Sequence, residues 1–330
     1  MKNMTDDQYI NEICNILKEK SEKDYDFSTT KRGAHSKSIG LLKAKFIVSD
    51  KISDALKLGI LKSPKAYDCL IRISSSSPKI QGDNKKDILG FSIKLLDVDG
   101  KKLINDELST QDFLLISAKT MPIGTLKLFY EAIYYNIKVN PVVYFLNVIS
   151  QGNIHKLKEI ASFRKHHTSP LDIEYFSTTP YSFGNRAVKY SIVPTSKYKS
   201  SIPKKPTSKY LSLNMQNHLH KSIATFDFMI QFKKDNMPIE DASIEWDETI
   251  SPFIKVGEIV IDKQNFITKD RYNFCENLSF SPAHSLIEHK PLGSLNRARS
   301  IIYFNMSKFR HIKNNQPKIE PNSMYFKELK

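Results

Sequence analysis

Six short segments of alternating apolar and polar residues, at 44–48, 67–74, 88–97, 185–194, 224–233 and 255–261, constrain this 330-residue chain most. A period of two sends successive side chains to opposite faces of a strand, and polar turns such as Gln81-Gly82-Asp83-Asn84 between the segments predict antiparallel pairing. Between the third and fourth segments, residues 125–149 run long and aromatic, with no glycine and only Pro141 as a breaker, so one or two helices are expected to wrap the body. Ile10, Ile13, Ile16 and Leu17 follow an acidic first turn at helical spacing and predict an amphipathic helix over 6–21. An irregular arm follows it, a proline-containing loop occupies 202–206, and the tail from Asn314 is polar, basic and expected on the surface. With strands dominating both halves and no linker or repeat, the expected class is α+β: one antiparallel β-barrel with flanking helices.

Composition narrows the partners. Hydrophobic residues make up 40% of the chain, enough for a substantial core, yet no run approaches the roughly 18–20 apolar residues of a membrane span. Asp6, Asp7 and Glu12 interrupt the N-terminal stretch, which fits neither a secretory nor a transit signal, so a cytoplasmic location is expected. Cys14, Cys69 and Cys275 lie far apart and form no CxxC pair, which predicts buried thiols rather than a zinc site or disulfide framework. The net charge of +15 is spread through the chain, and the basic clusters at 197–209 and 308–318 lack a reading helix, so no nucleic-acid partner is expected.

Three segments carry chemistry. In Lys31-Arg32-Gly33-Ala34-His35-Ser36, His35 offers an imidazole whose ordinary pKa near 6.5 suits it to take and return a proton. Arg72-Ile73-Ser74 sits on an expected strand, and a guanidinium there suits a carboxylate partner. In the third segment, Asn296 to Tyr303 followed by Arg310, a helix puts Arg299, Tyr303 and Arg310 on one face. A phenol with an ordinary pKa near 10 is a phenolate at neutral pH only if an adjacent cation favours the anion, and Arg299 is spaced to do so for Tyr303. Only 8 arginines occur in this lysine-rich chain, and Arg32, Arg72, Arg299 and Arg310 are four of them.

Together these segments resemble the catalase superfamily, specifically its short, catalase-like haem peroxidase branch, over about residues 25–312. Tyr175 to Pro180 with Gly184 to Tyr190, Met237 to Ala242, and Phe274 to Pro282 are similar to further family segments. The resemblance implies a catalase-like barrel that binds haem b, preceded by a helix at 1–24 and followed by a tail at 313–330. It implies Tyr303 as the iron ligand, with Arg299 at its phenolate and Arg32, Arg72 and Arg310 at the propionates. His35 is then the distal acid–base group, with Ser74 hydrogen bonded to its ring. His284, Glu288 and His289 belong to the loop before the proximal helix and are read as structural rather than as a metal cluster.

Three positions depart from the family pattern. Ser117 ends the run Gln111 to Ser117 where the short branch has asparagine; it is the candidate to orient peroxide, with one donor instead of two. Met121-Pro122-Ile123 replaces an aromatic pair, and Leu89 replaces a common arginine. The implied function is a haem peroxidase or weak catalase acting on hydrogen peroxide or an organic hydroperoxide, with a reductant the sequence does not identify. Two alternatives stand beside it: a fatty-acid hydroperoxide isomerase or dehydratase on the same scaffold, and a haem-binding protein without peroxide chemistry. Family habit implies a homo-oligomer.

Overall fold

The computed structural model describes residues 4–26 and 28–329. In chain order its strands are β1 (Ser38–Val48), β2 (Ala66–Ser75), β3 (Leu89–Leu95), β4 (Gln111–Ile116), β5 (Tyr175–Phe176), β6 (Tyr181–Phe183), β7 (Arg186–Pro194), β8 (Ala224–Phe232) and β9 (Ile254–Ile261). Two antiparallel meanders, β1 to β4 and β7 to β9, join through β1–β9 on one side. The short β5 pairs with both β4 and β7 on the other, which closes an eight-stranded barrel with β6 laid beside β7. Closure leaves no unpaired barrel edge.

Alternation decides what the barrel holds. Leu42, Ala44 and Phe46 on β1, Cys69, Ile71 and Ile73 on β2, and Phe91, Ile93 and Leu95 on β3 form one buried core with their counterparts across the barrel. Phe113 meets Tyr190 at 4.9 Å and Phe228 at 5.0 Å between ring centroids, and Phe91 meets Tyr175 at 5.0 Å. Aromatic contacts of this kind contribute about 0.5–1.5 kcal/mol each beyond area burial. The lumen is therefore packed core, and chemistry has to sit outside it.

Helices cover the outer face. They are α1 (Asp6–Asp24), α2 (Leu126–Tyr134), α3 (Pro141–Ser150), α4 (Ile154–Phe163), α5 (Tyr210–Lys221), α6 (Lys269–Asn277), α7 (Ser294–Lys313) and α8 (Ser323–Glu328). Thr5 and Gln8 form a capping box that starts α1, and the helix runs three residues beyond its expected end. Its Tyr9, Ile10, Ile13 and Ile16 pack with Leu126 and Tyr130 of α2 and Ala298 and Ile302 of α7. Asn140 caps α3 and Pro141 sits in its first turn, so the long 125–149 segment is two helices joined by a π-turn at Tyr135–Val139.

Four helices, α4, α5, α6 and α8, were not expected from the pattern. In α5, Leu211, Met215 and Leu219 recur at i, i+4 and i+8 beneath polar neighbours and bury against the barrel. The tail is held more tightly than its polarity implies: Phe326 and Leu329 pack with Leu41, Leu70 and Cys275, and Glu320 accepts from Leu108 N, Ser109 N and Ser109 Oγ. All three cysteines are buried and free. Among the described residues, no helix is long and apolar enough to cross a membrane.

Candidate haem site on the outer face of the barrel

Register builds a platform from β2, β3 and β4. On their outer faces Ser74, Gly90 and Ile116 stand in one cross-strand row, Arg72, Ser92 and Leu114 in the next, and Leu70, Lys94 and Asp112 in a third. The arm before β1 lays His35 on the first row. His35 Nδ1 lies 3.0 Å from Ser74 Oγ, and its ring covers Gly90 so closely that a Cβ there would be 2.6 Å from Nδ1. Glycine in the middle of a strand marks such a close approach.

The backbone of His35 adopts φ 52°, which a non-glycine residue keeps only when its surroundings enforce it. Three contacts with one strand end do so. Arg72 Nη2 donates to His35 O at 2.7 Å, His35 N donates to Ser76 O at 3.4 Å, and Ser74 holds the ring. Ser76 is itself fixed by donating to Asp87 Oδ1 at 2.7 Å. Burial, reinforced by the Arg72 guanidinium, pushes His35 down to about 4, so its imidazole is neutral at pH 7.

Three buried or half-buried guanidiniums gather beside this platform. Arg32 donates to Cys275 O at 2.9 Å and Leu278 O at 2.7 Å, Arg310 donates to Glu276 O and to Leu278 O at 3.1 Å, and Arg72 is 3% exposed with its Nε unpaired. Glu276 is the carboxylate among them, 3.2 Å from both Arg32 Nη1 and Lys31 Nζ. Burial, then Arg72 and Arg310, push Arg32 down to about 9, and burial pushes Arg310 down to about 10. Glu276 is held below its ordinary value against its own burial, by Arg32, Arg72 and Lys31. Three guanidiniums and the Lys31 ammonium against one carboxylate leave a positive surplus, which an anionic ligand would offset.

Helix α7 is fixed at both ends. Gly293 precedes it at φ 79°, where a Cβ would sit 2.5 Å from Ile239 O; Asn296 Nδ2 donates to Pro180 O at 2.9 Å. At the far end Arg310 holds the last turn of α6, and His311 Nε2 lies 2.9 Å from Asn277 O. Between these anchors Arg299 donates to Thr179 Oγ1 at 2.8 Å and Asn296 Oδ1 at 3.2 Å, with its guanidinium carbon 5.7 Å from the centre of the Tyr303 ring. Burial disfavours the Arg299 charge, but the Tyr303 and Tyr181 phenols outweigh it and raise its pKa. After burial and Arg72, the Arg299 charge also disfavours protonation of His35.

Ser117 stands apart from this group. Its Oγ accepts from Leu89 N at 2.9 Å while its own N–H donates to Leu89 O at 2.9 Å, so it staples β4 to β3 one residue from Gly90 and keeps its O–H free to donate. Leu89 itself points into the barrel core. Sequence reasoning did not assign Gly90 or Glu276 to the site. A lone glycine in an apolar strand, and an acid facing a segment with two arginines in the fold, were the available signals.

A second charged cluster lies two rows away, about 13 Å along β2 at roughly 3.3 Å per residue. Lys94 pairs with Glu107 and lies 2.7 Å from Asp112; His284 lies 2.9 Å from Asp112 and 2.8 Å from Asp106; Lys318 pairs with Asp106. The ligand atoms of Glu107, Asp112 and His284 fall within 4.8 Å of one another, but the Lys94 ammonium already pairs with both buried acids. Burial and Lys94 oppose protonation of His284, yet Asp112 and Asp106 raise its pKa, and the protonated ring completes three cations against three carboxylates. His289 is elsewhere, its Nε2 accepting from Ile60 N at 3.2 Å. His284, Glu288 and His289 thus do not form one cluster.

No protein-family model matches the sequence, and no curated protein sequence matches it. Solved structures do. The chain aligns with a fungal catalase at 15% identity and a TM-score of 0.67, over 96% of its own length and 63% of that chain. The fold is catalase-like. Catalase A from Saccharomyces cerevisiae matches at 16% identity and a TM-score of 0.68 over 86% and 62%, and a bacterial catalase at 14% and 0.65 over 92% and 63%. The chain therefore spans under two thirds of the length of these catalases. Its catalase-like barrel meets the expectation drawn from the three segments.

Proposed function

We propose that this protein binds haem b on the outer face of its catalase-like barrel and reduces hydrogen peroxide or an organic hydroperoxide there. One observation carries the reading: His35, Ser74, Arg72, Arg32 and Arg310 converge on one face, from segments as distant in sequence as the arm and α7. The residues fit the group. The positive surplus suits the propionate carboxylates, the buried Arg72 Nε lacks a partner among the described residues, and the His35 ring sits so close over Gly90 that a Cβ there would lie 2.6 Å from its Nδ1.

Tyr303 would hold the iron, with Arg299 favouring its phenolate; Arg32, Arg72 and Arg310 would hold the propionates. Bound haem supplies the redox chemistry that side chains lack. The protein's own part is proton transfer. With Nδ1–H donating to Ser74 Oγ, the neutral His35 ring presents the Nε2 lone pair, which takes a proton from one peroxide oxygen and returns it to the other. The positive φ and the three anchors of the His35 loop keep the ring from turning away. Ser117, which staples β4 to β3 apart from these residues, would add only a single hydroxyl donor.

The test is spectral and then kinetic. The purified, haem-reconstituted protein should show a ferric Soret band that Tyr303→Phe weakens or abolishes. His35→Ala should keep the band and lose peroxide reduction by about 10²-fold or more. Full activity in His35→Ala would remove the proposed role of that residue, and failure to take up haem would remove the reading as a whole. Product analysis with a fatty-acid hydroperoxide separates reduction to an alcohol from rearrangement to an epoxide.

A further inference from the structure

We propose that the α3–α4 hairpin docks this protein on an anionic lipid surface. The hairpin inverts the usual arrangement of a surface helix. In α3 the inward side is held by Val148 and half-buried Tyr144, whereas Val142 is 63%, Leu146 57% and Phe145 48% exposed. Val143 and Ile149 of α3, Val139 before it and Ile154 at the start of α4 are also exposed. Val142, Phe145, Leu146 and Ile149 fall at i, i+3, i+4 and i+7 of α3, and an apolar helix face of this kind left to solvent marks an interaction site.

Charge around the patch selects the occupant. No aspartate or glutamate occurs from residue 132 to residue 158, while Lys138, Lys156 and Lys158 do, and Arg164 and Lys165 follow. Lys138 is paired with Glu19 of α1, and Glu159 accepts a hydrogen bond from Thr120 Oγ1. Lys156, Lys158, Arg164 and Lys165 have no acidic partner among the described residues. Apolar side chains flanked by unpaired cations suit the boundary between acyl chains and anionic headgroups. A second copy of the chain seated on the same patch would bring these cations toward one another, with Glu159 the single acid among residues 156–165.

The test is flotation of the full-length protein with phosphatidylcholine vesicles, with and without phosphatidylserine. The protein should float with the phosphatidylserine vesicles, less so at high salt, and the double variant F145S/L146S should lose binding about tenfold or more. Lys156→Glu with Lys158→Glu should weaken it severalfold. Phe145, Leu146 and Lys158 are exposed and Lys156 is half-buried, and unchanged circular dichroism confirms that both variants fold. Absence of wild-type binding, equal binding to both vesicle types, or binding untouched by the two double variants would each overturn the proposal. So would a wild-type dimer that F145S/L146S makes monomeric without any vesicle binding, since the patch would then be a self-interface.

Discussion

Replacing Gly90 by alanine tests the platform under His35 directly. The new Cβ would lie 2.6 Å from His35 Nδ1, 2.7 Å from its Cε1 and 2.8 Å from Ser74 Oγ, against ordinary separations of about 3.5–4.0 Å. Relief requires the ring to retreat by about 1 Å, which breaks its 3.0 Å contact with Ser74. Overpacking of this kind costs about 1–3 kcal/mol, offset by about 0.5–1 kcal/mol gained when alanine replaces a mid-strand glycine. The net loss should be about 1–2 kcal/mol in urea unfolding followed by circular dichroism. In a His35→Ala background the ring is gone and Ser74 is free to rotate, so Gly90→Ala should become neutral or slightly stabilising. The two substitutions should thus couple by about 1 kcal/mol or more. Equal cost in both backgrounds would show that the imidazole does not rest on Gly90 and would refute the geometry. Peroxide reduction should fall by about 10²-fold in Gly90→Ala, since a displacement near 1 Å is enough to misplace a proton-transfer group.

Three further outcomes follow from the same contacts. Folded His35 titrates at about 4, below its ordinary 6.5, so the unfolded chain binds the proton more tightly between those values; compared with His35→Gln, wild type should lose stability as pH falls from 6.5 toward 4, and not above it. The folded pKa of His284 is raised, so its contribution should be full below pH 6.5 and lost as pH rises through the folded value, a trend that His284→Gln should abolish in unfolding measured between pH 6 and 9. Lys94→Met leaves Glu107 and Asp112 buried without their shared ammonium and should cost about 3–5 kcal/mol in urea unfolding.

What could be read from the sequence divides by the range of the interactions involved. The strands at 67–74, 88–97 and 224–233 were legible because alternation is local and the barrel buries one face of each. The same holds for α7, where Arg299, Tyr303 and Arg310 recur on one helical face. The helices α4 and α6 were not legible, because the first leaves no residue fully buried and the second buries only Arg271 and Cys275, so neither shows an apolar stripe. Ser117 was legible as a departure from a pattern, but its bond to Leu89 N depends on strand register, which is set by pairing between segments.

The sequence by itself determined which chemical groups this chain possesses, a few arginines among many lysines and one histidine in a polar arm, and it determined the alternation that makes a barrel with an apolar lumen. Only the tertiary structure decided that Arg32, Arg72 and Arg310 share one buried neighbourhood with Glu276, and that His35 lies on Gly90 with its backbone held at positive φ. The reason is physical. Alternation is a property of neighbours along the chain, whereas a surplus of buried charge is a property of groups brought together by closure of the sheet, and no local pattern encodes which distant segments meet.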